Sequence, residues 1–171
     1  MEGYLVEKQF NSSSFLCVAI MGPLGHRCGY VGVSKSHPLY GIEYSDETLI
    51  LRPFIENVLL SSTGKRGIIS VLLFSRDDIP RPDFIFDVHG SLTYSGFGSG
   101  NYPINSDLWW LGFDCAHSGD APDPNWSESI YPLNWGALGG TVRSLRFVMD
   151  ECVSLAKQLK DVEDYYTGGV I

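Results

Sequence analysis

Apolar residues recur along this chain with two different periods, and each period predicts a kind of element. Over residues 4–10 and Phe15–Met21 they alternate or gather in short runs, which predicts two strands, and the polar cluster Asn11-Ser12-Ser13-Ser14 between them predicts a hairpin turn. Cys28-Gly29-Tyr30-Val31-Gly32-Val33 predicts a third strand, with glycines that let another backbone or a ligand approach closely. The chain then turns at His37-Pro38. Residues 43–81 carry Leu49-Ile50-Leu51, Val58-Leu59-Leu60, a turn at 61–65 and a β-branched run over 67–74, and predict an inserted strand or strand pair. The alternation Phe84-Ile85-Phe86-Asp87-Val88-His89 predicts a strand that Leu92-Thr93-Tyr94 extends or follows, and residues 108–113 predict an aromatic one. Residues 121–140 form a loop rich in Pro, Trp and Asn.

The helical period occurs once. Val142, Leu145, Val148, Cys152, Leu155, Leu159 and Val162 recur at steps of three and four, predicting an amphipathic helix over residues 141–162 that lies on a sheet. Arg143, Asp150, Glu151, Lys157 and Lys160 are expected on its outward side, and Gly168-Gly169 closes the tail. The pattern as a whole predicts an α+β fold, an antiparallel or mixed sheet packed against one long C-terminal helix. No repeat, low-complexity tract or linker divides it, so a single domain over residues 1–171 is expected.

Composition narrows the function classes. At 171 residues and 44% hydrophobic content the chain can bury a core without a metal or disulfide to hold it together. Its net charge of −8 argues against binding duplex nucleic acid, which rests on clustered Lys and Arg. The apolar run Phe15–Met21 follows Glu2 and Glu7 with only Lys8 as a nearby cation, and Gly22-Pro23 breaks it, so it reads as a buried strand and not as a signal peptide. No run approaches the roughly eighteen residues of a membrane span, and a cytoplasmic protein without a membrane partner is expected. Cys17, Cys28, Cys115 and Cys152 form no CxxC pair and are expected to be reduced.

Candidate chemistry gathers in three polar segments: Ser36-His37-Pro38-Leu39-Tyr40-Gly41, Asp87-Val88-His89-Gly90, and residues 113–120. On a strand, Asp87 and His89 would share one face, and Gly90 would allow a sharp turn or a close approach. Asp114, His117 and Asp120, spaced by three, would align on a helical turn or converge in a tight loop. A mixed Asp/His set suits a divalent Zn, Mn or Fe ion with an open position for water. Asp87, His89, Asp114 and His117 are the candidate metal ligands. The candidate catalytic set adds Asp120, with His37 assisting. His and Asp at strand ends also serve simply to bond backbone groups or orient turns, which is the competing reading of each segment.

Two further arrangements use cysteine. His26-x-Cys28 and Cys115-x-His117 would supply a Cys₂His₂ zinc site across the sheet, and Cys115 beside His117 would make a nucleophile pair. Trp109-Trp110 and Tyr94 read as core, with a stacking wall for a planar ligand as the alternative. Gly96-x-Gly98-x-Gly100 lacks the helix start and Lys-Ser/Thr of a phosphate loop and reads as a mobile loop.

Three stretches together resemble a family of small proteins of tailed phages and prophages: residues 28–33 with His37-Pro38-Leu39-Tyr40-Gly41, Asp87-Val88-His89-Gly90 with residues 92–96, and residues 109–120. Leu155-Ala156-Lys157-Gln158-Leu159 extends the likeness into the terminal helix. The chain departs from the family pattern at Ser91, where a second glycine is expected, and residues 45–82 resemble a variable insertion. The resemblance implies a place in the cytoplasm of an infected host cell and interference with host defence. It brings no established reaction.

The residues and the resemblance together lead to a small metal-assisted hydrolase acting on a phosphoester or nucleotide, with a host defence signal as one such substrate. The alternatives are a binding protein that sequesters a nucleotide-like small molecule, and an acidic inhibitor of a host defence protein. For an anionic ligand, His26, Arg27, Lys35, His37 or a bound cation would offset the acidic surface.

Overall fold

In the computed structural model the hairpin is formed by β1 (Leu5–Ser12) and β2 (Phe15–Met21), paired antiparallel from Leu5 opposite Met21 to Ser12 opposite Phe15. Residues 3–60, 79–100, 102–127 and 139–168 are described. β3 (Arg27–Val33) pairs with β2, and β5 (Trp109–Asp114) pairs with β3 and with β4 (Tyr94–Phe97). The result is a five-stranded antiparallel sheet in the order β1-β2-β3-β5-β4.

The two-residue period of the strands sorts the apolar side chains onto two faces. Phe15, Cys17, Ala19, Val31, Val33, Trp109, Leu111 and Phe113 face the main core, while Val18, Ile20, Tyr30 and Trp110 form a second cluster on the other face. β2 is covered on both faces, so it reads as a continuous apolar run with no clean alternation. The core reading of Trp109 and Trp110 holds, since both are buried.

The C-terminal helix, α4 (Leu145–Thr167), lies across β1, β2 and β3. Its buried stripe of Val148, Cys152, Leu155, Ala156, Gln158, Leu159 and Val162 supplies much of the main core. Each fully buried Leu or Val there contributes about 1.5–3 kcal/mol relative to exposure, far more than helix propensity supplies. Any side chain at Gly29 of β3 would overlap Phe113 and Cys152, so glycine at that position lets α4 and the sheet close on one another. The helix begins later than its apolar period predicts. Ser144 is the N-cap, its hydroxyl accepting the Phe147 N–H, and Thr141–Val142 instead forms β7 beside β6 (Asp120–Ala121), a short parallel pair. Gly168 ends the helix in the left-handed conformation.

Two predicted strands are helices or loop. Residues 51–60 form α1 (Leu51–Leu60), where Leu51, Phe54 and Ile55 are buried at helical spacing and α1 packs on α4. The β-branched run at 67–74 and the turn at 61–65 lie outside the described residues. Over residues 84–89 there is no strand. Pro82 opens a one-turn helix, α2 (Pro82–Ile85), and beyond it the buried Gln158 bonds both the N–H and the C=O of Asp87 at 2.8 Å. Those are the groups a neighbouring strand would have used. Within the stretch 121–140, predicted as a loop, Pro124–Ser127 form a further short helix, α3, and residues 128–138 lie outside the described residues. Among the described residues no helix is long and apolar enough to cross a membrane.

Candidate functional site

Where β5 leaves the sheet, the chain turns tightly and returns through β6. Asp114 accepts the Ala116 N–H on Oδ1, and the Asp120 N–H bonds the His117 carbonyl, so the three-residue spacing converges in a loop and not on a helix. The second segment of the site is a turn at Val88–Ser91, hung from α4 by two side chains two helical turns apart. Gln158 holds the Asp87 backbone, and a Glu151 carboxylate oxygen accepts the His89 N–H at 2.8 Å.

These two loops bring His89, His117 and Asp120 together. One donor atom from each residue lies within 4.8 Å of the others, and they are the group of three metal-capable side chains found among the described residues. His89 Nε2 stands 2.7 Å from Asp120 Oδ2, and the two imidazoles meet edge to face with centroids 5.4 Å apart. His117 Nδ1 is 3.7 Å from the same carboxylate oxygen, and it is a buried atom without a hydrogen-bond partner. Gly90 makes this approach feasible: at φ +69 it occupies the left-handed region, and a Cβ there would stand 2.1 Å from His117 Cε1.

Asp120 is the centre of the arrangement, with a side chain only 1% exposed. Its carboxylate accepts from His89 Nε2, from the His117 N–H and, on Oδ1, from Arg143 Nε at 2.7 Å. Burial works to raise its pKa, but the hydrogen bonds from His89, Arg143 and the His117 backbone outweigh it and draw the pKa down to about 2. An ionised carboxylate beside two imidazoles is a donor set suited to a divalent ion. Ligand atoms on tetrahedral zinc stand roughly 3.3 Å apart, so the two separations from Asp120 Oδ2, 2.7 Å to His89 Nε2 and 3.7 Å to His117 Nδ1, need adjustments of well under an ångström. Metal binding there would replace the His89–Asp120 hydrogen bond, and Arg143 would still orient the other carboxylate oxygen.

Not every predicted residue joins the group. Asp114 stands at its edge, with Oδ1 3.9 Å from His117 Nδ1 and Oδ2 accepting from the Thr93 hydroxyl. Asp87 is exposed and lies outside the group, because its segment is not a strand and the shared face with His89 does not exist. Among the described residues the carboxylate grouped with the two imidazoles is therefore Asp120, and not Asp87 or Asp114. His37 is elsewhere, 3% exposed under the helix: Nε2 donates to the Leu159 carbonyl, Nδ1 accepts the Leu39 N–H, and Phe15 packs against the ring. It ties a loop to α4 and does not assist at the site.

The cysteine arrangements do not form. His26 Nδ1 donates to the Cys115 carbonyl at 2.7 Å, and no cysteine joins a group of three metal-capable side chains among the described residues. Burial pushes the Cys28 thiol up to about 11 and the Cys115 thiol up to about 12, which leaves both protonated and poor as nucleophiles or ligands at neutral pH.

Two residues of the site escape sequence reasoning, Arg143 and Glu151, both expected on the outward side of the helix. The signal that places Arg143 is Ser144: read as an N-cap, it puts Arg143 before the helix, where the β-branched Thr141-Val142 pair turns its side chain to Asp120. A scan against protein-family models and searches of curated proteins and of solved structures each return no match. Fold and site together define the protein by class as an α+β protein with a two-histidine, one-carboxylate group held between two loops.

Proposed function

We propose that the protein is a metal-assisted hydrolase of a phosphoester or nucleotide, with the ion held by His89, His117 and Asp120. The observation that carries this reading is the buried, unpartnered Nδ1 of His117 facing an ionised carboxylate and a second imidazole. An imidazole nitrogen left without a hydrogen bond is destabilising unless a ligand completes it. Three protein donors also leave a coordination position open, and a bound divalent ion supplies a water acidic enough to attack near neutral pH. In hydrolysis the water oxygen bonds to phosphorus, the ester P–O bond breaks, and the alcohol leaves with the proton given up by the water. The resemblance to phage and prophage proteins supports a nucleotide signal of host defence as the substrate, met in the cytoplasm of the infected cell.

Elemental analysis of the purified protein, followed by incubation of zinc- and manganese-loaded protein with a panel of linear and cyclic nucleotides, tests this. Stoichiometric metal with metal-dependent product formation is expected. Stoichiometric metal with every nucleotide recovered intact would overturn the hydrolase. Tight retention of one nucleotide, released unchanged on heating, would point instead to sequestration.

A further inference from the structure

We propose that Arg143 is the anchor for the phosphoryl oxygens of the substrate, presented beside the ion by Asp120 and Phe147; this inference rests on the metal-assisted reading of the His89–His117–Asp120 group and adds to it the residue that binds the anion. Among the described residues the Arg143 side chain makes its hydrogen bond through Nε alone, donating to Asp120 Oδ1 at 2.7 Å. Its guanidinium lies over the Phe147 ring, 4.9 Å from the centroid, and Phe147 in turn packs edge-on to His89 at 5.3 Å. Nη1 and Nη2 make no hydrogen bond among the described residues, and the side chain is 28% exposed. A guanidinium fixed at one end and on one face, with two parallel donors left over, is matched to the two oxygens of a phosphate or carboxylate. The ordering of a long side chain, which an anion would otherwise have to impose, is already done in the protein.

The surroundings decide when an anion can bind. Asp114, Asp120 and Glu151 place three carboxylates around the group, and Arg143 faces one of them directly. Without the ion their field repels a phosphate. With a divalent cation between the imidazoles, the ion and Arg143 flank the same space with positive charge. Anion binding is therefore conditional on metal.

The probe is inorganic phosphate, followed by ³¹P NMR line broadening with substoichiometric Mn²⁺ on the full chain, while the electron-spin signal of free Mn²⁺ reports metal affinity. Phosphate is expected to bind the manganese-loaded protein, and Arg143→Lys, which keeps a cation for Asp120 but removes the fork, should weaken phosphate binding at least tenfold when each protein is compared at a manganese concentration that saturates it. A second measurement uses the wild-type protein alone. Phosphate with manganese should slow the modification of Arg143 by phenylglyoxal, read by mass spectrometry, and phosphate without metal should not. Phosphate affinity unchanged in Arg143→Lys, no phosphate binding to the loaded wild type, or no protection of Arg143 would each overturn the proposal. Arg143-dependent phosphate binding without turnover of any ester would remove the hydrolase reading and leave this inference standing; turnover with phosphate binding indifferent to Arg143 would do the reverse.

Discussion

The His89 and His117 rings sit edge to face, centroids 5.4 Å apart, and both face one oxygen of Asp120, yet only the His89 ring is hydrogen-bonded to it; His117 reaches it through its backbone N–H alone. The two imidazoles therefore have separable roles in stability and, in the metal site we propose, a shared one in holding the ion. His117→Ala removes a ring that is 31% exposed and a nitrogen without a partner, and is expected to change unfolding free energy by less than about 1 kcal/mol. His89→Ala strips a donor from a buried carboxylate and should destabilise by roughly 1–3 kcal/mol. Either substitution should abolish stoichiometric metal binding, and calorimetric titration with zinc beside urea denaturation separates the two effects.

Gly90→Ala attacks the approach of the two loops without touching a donor atom. The added Cβ meets the His117 ring and the backbone sits at φ +69, so the ring must move or the turn must open. Metal affinity is expected to fall at least tenfold, with a loss of about 1–2 kcal/mol in stability. Unchanged zinc affinity in this variant would show that His117 is not a ligand in its observed position.

Burial lowers the His37 pKa below the usual 6.5, with Lys160 helping and the Leu159 carbonyl and Glu163 opposing. The unfolded chain then takes up a proton at higher pH than the native one, so the contribution to stability is complete above about pH 6.5 and is lost as pH falls from there toward the native pKa. His37→Gln should flatten the slope between pH 7.5 and 5.5 in urea denaturation, and should cost roughly 1–3 kcal/mol at pH 7.5 through the Leu159 and Leu39 hydrogen bonds. An unaltered slope would assign the pH dependence to other groups.

Ending the chain at Gly140 removes β7, the capped helix and its buried stripe, and exposes the sheet face lined by Cys17, Ala19, Val31 and Leu111. The shortened protein is expected to aggregate or to lose cooperative unfolding, as judged by size-exclusion chromatography and thermal melts. A monomer that melts cooperatively would mean that α4 is dispensable to the core.

The sequence by itself determined the elements whose signals are local. Short apolar and aromatic runs in residues 15–21, 28–33 and 109–113 mark strands, the serine cluster marks the hairpin turn, and the spacing from Val148 to Val162 marks the helix, because these signals act between near neighbours. It also picked out the two polar segments whose histidines meet. Tertiary structure decided the rest. Residues 51–60 became a helix where short apolar runs fit either period, and residues 84–89 lost their strand because Gln158, far along the chain, takes the backbone groups of Asp87. Asp120 replaced Asp87 and Asp114 as the carboxylate, Arg143 entered the site, and His37 left it for the underside of the helix. Which carboxylate reaches which imidazole depends on how two loops close over one another, and that closure is set by register, caps and packing between segments distant in the chain, to which no local period refers.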